Sequence, residues 1–189
     1  MMRKSSTSRA SERTGFSMVE LLTALAVAAI VLALAVPGFQ SLIRNQRLST
    51  SVNAFIGALH LTRSEAIRRG SRVDLVPADG ADWAQGWVVF VDQNDNQQAD
   101  SGEMILARQA AVAGGMAIKS VLTDSSKLYL AYNGSGRTRT NASSQTPQLG
   151  TVSFFLDGKI RSIKLNFSGR ARVCNPEQDK TCTGADDAD

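Results

Sequence analysis

The sequence predicts an α+β chain: a long N-terminal helix, transmembrane in its first half and amphipathic in its second, packed on an antiparallel β domain. Three observations carry this. Phe16 to Val36 is an apolar run interrupted chiefly by Glu20. From Phe39, apolar Leu48, Val52, Phe55, Ile56, Leu59 and Ile67 recur at three- and four-residue steps, the mark of an amphipathic helix. After Gly70 the period changes to two, in short runs separated by Gly, Asn, Asp and Ser, the pattern of antiparallel strands.

Residues 1–15 form a basic, Ser/Thr-rich leader, with Arg3, Lys4, Arg9 and Arg13 against Glu12. Positive charge holds such a leader in the cytoplasm and sends the chain after Val36 outside. The run from Phe16 to Val36 has 21 residues. As a helix it is about 31 Å long at ~1.5 Å per residue, close to a bilayer hydrocarbon core. Residues 16–38 are therefore expected to span the inner membrane. Two readings fit this run by itself: a secretory signal cut after Ala33-Leu34-Ala35, or an uncleaved anchor. A conventional signal has no use for Glu20, whose carboxylate costs about 2.5–3.5 kcal/mol at the centre of a span and less near an end.

Residues 39–70 are expected to continue as the amphipathic helix, with Pro37 kinking rather than ending it. The stop is Arg68-Arg69-Gly70-Ser71, a basic last turn followed by glycine. His60, the one histidine, has no partners for a general-base or metal role. Residues 71–175 are expected to form the β domain. Its strands lie in "RVDLVP", "GWVVFVD", "EMILARQ", "MAIKSVL", "KLYLAY", "TVSFFLD", "KIRSIKLNF" and "ARVC", with Trp83 and Trp87 packing over the sheet. Residues 176–189 form an acidic tail.

Asp92 to Glu103 imitates a calcium loop, with Asp92, Asn94, Asn96, Asp100 and Glu103 at positions 1, 3, 5, 9 and 12. Position 6, which favours glycine, is Gln97, and strands rather than helices flank the segment, so an acidic hairpin loop is the better reading. Cys174 and Cys182 are the two cysteines of the chain and lie in a polar stretch. Outside the cytoplasm a disulfide is their default state, and a zinc site lacks ligands. No cofactor or metal is implied. A secreted enzyme is disfavoured by the single histidine, the absence of carboxylates paired in an apolar setting and the absence of a serine elbow.

Charge is segregated. The chain carries +4 overall, of which the leader holds +3. Gln40 to Arg72 has six arginines against one glutamate, Val73 to Ala117 has seven acids against Arg108, and Ile118 to Val173 has nine basic residues against Asp124 and Asp157. This favours a basic face. Within it, "GRTR" (Gly136 to Arg139) and "GRAR" (Gly169 to Arg172) share a Gly-Arg-x-Arg pattern. In an extended segment residues two apart lie on one side, about 6.7 Å apart, near the spacing of neighbouring phosphates. Glycine permits close backbone approach and arginine offers phosphate a planar fork. Two turn glycines followed by solubilising arginines account for the same residues.

A basic leader ending in Gly15, then Phe16, Glu20 within an apolar helix and Pro37, resembles the class III leader of type IV pilins and pseudopilins. The resemblance implies cleavage between Gly15 and Phe16 by a prepilin peptidase, methylation of the new Phe16 terminus, and a pilin fold. It also implies that Glu20 pairs with the Phe16 amine of a neighbouring pilin during filament assembly. "GWVVFVDQNDNQQADSGEMIL", "YNGSGR" and "NFSGRARVC" are similar to the FimT/GspH branch of that family. Its FimT-like members include minor pilins that bind double-stranded DNA for natural transformation through a C-terminal Gly-Arg-x-Arg motif. Gly169, Arg170 and Arg172 match that motif, and Arg137, Arg139 and Lys164 are expected as accessory contacts. Its GspH members are minor pseudopilins of type II secretion, the alternative reading. Either way the chain is expected in the inner membrane with its C-terminal domain periplasmic, and then in a filament with other major and minor pilins.

Overall fold

The computed structural model describes residues 17–182. The leader, Gly15 and Phe16 therefore lie outside the described residues, as does the tail beyond Cys182. Helix α1 runs Met18–Arg69, 52 residues, and Pro37 does not end it. Ser17 opens it, its hydroxyl accepting from the Glu20 amide at 3.2 Å as an N-cap does.

The chain divides into two compact units at Leu42/Ile43. The first unit is the apolar start of α1. Leu21, Leu22, Leu25, Ile30, Val31 and Leu32 are all exposed, and the stretch is long and apolar enough to cross a membrane. Such a surface is stable only against lipid or other apolar helices.

The second unit holds the globular core. The later part of α1 buries Leu48, Val52, Phe55, Leu59, Thr62 and Ala66, one stripe at three- and four-residue steps. Ile67, assigned to this stripe from the sequence, is 52% exposed. Ala66 lies seven residues after Leu59 and almost in line with it, whereas Ile67 is rotated ~100° further round. Thr62 is tolerated inside because its hydroxyl donates to the Ala58 carbonyl at 2.7 Å.

Among the described residues nine strands form two antiparallel sheets. The first has the order β3 (Ile105–Gln109), β2 (Trp87–Phe90), β1 (Val73–Pro77), β5 (Leu130–Tyr132), β6 (Thr138–Arg139). The second has the order β4 (Ala117–Leu122), β7 (Gly150–Leu156), β8 (Lys159–Leu165), β9 (Ala171–Cys174). Phe55 of α1 sits at the junction, edge-on to Trp83, Trp87 and Phe154 with ring centroids 5.2, 5.0 and 5.6 Å away. The first sheet also has a small apolar cluster on its other face, where Val76, Val88, Phe90, Tyr129 and Ala131 pack with Ala99 of the acidic loop. This is why β1 is buried along its whole length and does not alternate.

Strand β6 has no counterpart in the sequence reading. It is two residues long and carries no apolar alternation; it exists because Tyr132 and Ala131 pair with Thr138 and Arg139 across a tight turn.

The acidic segment joins β2 to β3, which pair antiparallel. Gln97 adopts φ 61°, so lacking glycine at that place did not prevent the left-handed backbone. The positive charge among these carboxylates belongs to Arg72. Its guanidinium, 4% exposed, donates to both oxygens of Asp74 at 2.7 and 2.6 Å, to Asp95 at 2.6 Å, and lies 3.2 Å from Asp92. Burial pushes the Asp74 carboxyl up to about 7, against the downward pull of Arg72. Among the described residues no group of three or more His, Cys, Asp or Glu is placed to hold a metal ion.

Candidate nucleic-acid interface: two matching arginine turns

The Gly-Arg-x-Arg pattern is the end of a longer repeat. Asn133-Gly134-Ser135-Gly136-Arg137 joins β5 to β6, and Asn166-Phe167-Ser168-Gly169-Arg170 joins β8 to β9. The two segments share every residue but the second, and they fold alike. In the first, the Asn133 side-chain oxygen accepts from the Ser135 amide (3.1 Å), the Ser135 hydroxyl (2.7 Å) and the Arg137 amide (3.1 Å). In the second, Asn166 accepts from the Ser168 amide (3.2 Å), the Ser168 hydroxyl (2.8 Å) and the Arg170 amide (2.9 Å). Each glycine amide donates to its asparagine carbonyl, at 2.8 and 3.0 Å, and each asparagine amide to its arginine carbonyl, at 3.0 and 3.1 Å. Gly136 and Gly169 hold φ 74° and 77°, which only glycine adopts without strain. These are hairpin loops closed by an asparagine side chain and a left-handed glycine.

The two turns also touch. A Cβ on Gly169 would lie 2.5 Å from the Gly136 carbonyl oxygen and 2.9 Å from the Tyr132 ring. A Cβ on Gly134 would lie 2.5 Å from the Gly70 carbonyl carbon at the end of α1. The close approach these glycines allow is thus to the protein's own backbone. Arg63 of α1 clasps the junction, donating to the carbonyls of Gly169 and Ser168 at 3.1 Å each, and Tyr132 Oη donates to Gly169 at 3.0 Å. Burial pushes the Tyr132 phenol up to about 12, so it remains a donor at neutral pH. Sequence reasoning singles out neither Arg63 nor Tyr132. Nothing local marks them, since their partners lie 106 and 37 residues away. The Asn-x-Ser-Gly-Arg repeat, by contrast, is legible in the sequence, beginning three residues upstream of each Gly-Arg-x-Arg.

This packing sets the cations. Arg137 and Arg170 are both exposed, on turns in contact with each other. Arg172 on β9 faces Lys164 on β8 across the ladder, and with Arg170 and Asn166 they line one groove. Arg172 is half-exposed and held by the disulfide loop: Asp179 accepts from it at 3.1 Å and the Thr181 hydroxyl at 3.3 Å. Lys164 Nζ donates to the Thr181 carbonyl at 3.2 Å. Thr181 and Arg172 together hold the Asp179 carboxyl below its usual range. Cys174 and Cys182 form the disulfide that closes this loop. Arg139 goes elsewhere. Its guanidinium is 12% exposed, donates to the Thr140 and Asn141 carbonyls, and lies 3.5 Å from Asp95.

Glu20 lies exposed in the first turn of α1, within the apolar unit. His60 is exposed on α1.

A long helix, apolar and bare in its first unit, followed by an antiparallel domain built on its later turns, defines a pilin-type subunit. The family model for type II transport protein GspH matches residues 51–180, and the chain belongs to that family. The pilin-like protein PilA1 of Thermus thermophilus is 39% identical over 94 residues, a match covering 48% of this chain. The chain spans about half the length of that relative, 56%. Two crystal forms of the type IV minor pilin FimU of Pseudomonas aeruginosa share the fold, with TM-scores of 0.53 and 0.51 at 16% identity. The first match covers 70% of this chain and 92% of FimU, the second 69% and 94%. The fold is thus that of the minor pilin FimU, and the family is that of the type II transport protein GspH.

Proposed function

We propose that this chain is a FimT-like minor pilin that aids assembly of a type IV pilus and binds extracellular double-stranded DNA for natural transformation. The observation that supports it most is the contact between the two matched turns, which carry exposed Arg137 and Arg170, with Arg172 and Lys164 lining one groove with Arg170. Contacts of this kind neutralise phosphates and carry no sequence information. Gly169 supplies the geometry of the turn, and Arg170 beside it is an exposed cation. Arg139, whose guanidinium is engaged by backbone and Asp95, acts on the turn rather than on DNA.

Membrane and filament roles complete the reading. Prepilin peptidase cuts after Gly15, the Phe16 terminus is methylated, and the chain waits in the inner membrane with its C-terminal domain in the periplasm. Glu20 then pairs with the Phe16 amine of a neighbouring pilin, an ion pair that offsets the burial of its carboxylate in the filament core. Mass spectrometry of filament-associated protein should find methylated Phe16 as the first residue; a terminus near Pro37 sinks this reading.

The DNA reading is tested with the full chain in non-ionic detergent. A mobility-shift titration on duplexes of unrelated sequence should give weak, sequence-independent binding that falls steeply with salt. The log–log slope should be roughly −2 to −4, at about −0.9 per phosphate neutralised. Arg170→Ala with Arg172→Ala should nearly abolish it and lower transformation, and many copies in one filament raise avidity above the single-chain value. The GspH family match favours a second reading, a type II secretion pseudopilin without a DNA role. Absence of binding by the wild type, or equal binding by the double variant, decides for it.

A further inference from the structure

We propose that Phe167 is a base-stacking residue, so that the face built by the two turns takes single-stranded DNA in preference to an intact duplex. This rests on the arginine–phosphate contacts of the DNA reading above and departs from it in the form of DNA preferred. Phe167 is 62% exposed, and in the unit beginning at Ile43 it is the exposed aromatic among the described residues. Phe55, Phe90, Phe154, Trp83, Tyr129 and Tyr132 are fully buried there. The turn does not call for a phenyl ring. Its partner turn makes the same hydrogen bonds with Gly134 at the equivalent place. Gly134 is excluded from carrying a side chain by the Gly70 backbone, whereas Phe167 holds its ring out in solvent.

The surroundings select the occupant. Phe167 stands three residues before exposed Arg170, on a turn packed against the one that carries exposed Arg137, and it directly follows Asn166, which lines one groove with Arg170, Arg172 and Lys164. An apolar protein patch or a lipid tail covering Phe167 would strip water from the exposed guanidinium groups of Arg170 and Arg137 without pairing them. A single strand presents both chemistries: phosphates for the guanidinium groups and an open base face for the ring. In a duplex the base faces are hidden except at the ends. Stacking one base on an aromatic side chain changes affinity by about 5-fold to 150-fold.

The experiment compares a 20-nucleotide thymidine strand with a 20-base-pair duplex, each fluorescently labelled, in anisotropy titrations of the full chain in detergent across a range of salt. The wild type should bind the single strand at least about fivefold tighter, the low end of that stacking range. Phe167→Ala should remove this advantage while leaving duplex affinity and both salt slopes unchanged. Phe167→Trp should keep or enlarge it. The exposed position means that these variants should match the wild type in circular dichroism and Tm. Equal wild-type affinity for both DNAs, or a single-strand affinity untouched by Phe167→Ala, overturns the proposal and assigns the ring to contact with another protein. If duplex binding that depends on Arg170 and Arg172 persists in that case, only the stacking proposal falls. No binding of either DNA overturns the DNA reading as well.

Discussion

The two Asn-x-Ser-Gly-Arg turns are nearly identical as sequence and as local structure, yet the second arginine of each pattern has a different fate. After Arg137, the chain turns Arg139 inward, onto its neighbouring carbonyls and Asp95. After Arg170, it turns Arg172 outward to the groove and the disulfide loop. At the second position one turn has Gly134 against the end of α1 and the other has Phe167 in solvent. The lesson is that a five-residue pattern determines a turn, because its hydrogen bonds close within itself. What an adjacent cation does depends on which acceptors the rest of the fold brings to it.

The sharpest way to break the comparison is Gly169→Ala. Its φ of 77° is unfavourable to any side chain, and the new Cβ would meet the Gly136 carbonyl, which is backbone and cannot yield. A loss of about 3 kcal/mol is expected from strain plus clash. Gly136→Ala has the same φ penalty but meets chiefly the flexible Ile67 side chain, so it should lose less, about 1–2 kcal/mol. Denaturant unfolding of both variants checks the order; equal losses show that the turns are not packed as described.

Arg63→Ala should come next. It leaves the Gly169 and Ser168 carbonyls without their charged donor and is expected to cost about 2 kcal/mol. The loss should loosen the second turn more than the first, which amide hydrogen exchange at Arg170 and Arg137 can report.

The first turn alone leans, through Arg139 and Asp95, on the buried Arg72 cluster. Asp74 in that cluster has its carboxyl raised by burial to about 7. The native state therefore holds a proton that the unfolded chain, at about 3.9, releases earlier. This contribution to stability is full below the unfolded value and is lost as pH rises through about 7. Tm should fall by a few degrees from about pH 5 to about pH 8. Asp74→Asn should flatten that slope, and an unchanged slope removes Asp74 as its source.

The smallest effect is expected from Asp179→Asn. Arg172 then keeps its place on β9 but loses its carboxylate partner. Duplex affinity should rise about two- to fivefold and the salt slope steepen by about 0.9, one further phosphate contact. Unchanged DNA affinity means that Arg172 does not face the ligand.

Much of this was available in the sequence because it depends on neighbours along the chain. Helix periodicity placed Leu48, Val52, Phe55 and Leu59 inside, since four residues return a side chain to nearly the same face. Alternation and turn residues located eight of the nine strands, and the missing one, β6, has no pattern of its own because pairing alone makes it a strand. The disulfide followed from two cysteines expected outside the cytoplasm. Only tertiary structure decided the rest. It put Arg72 among the acids of the imitation calcium loop, turned Arg139 onto Asp95 and its neighbouring carbonyls, and stacked two turns 33 residues apart so that Arg63 and Tyr132 hold them together. These are contacts between residues far apart in sequence, chosen by burial and by the need of each buried polar group for a partner, and no local pattern encodes them.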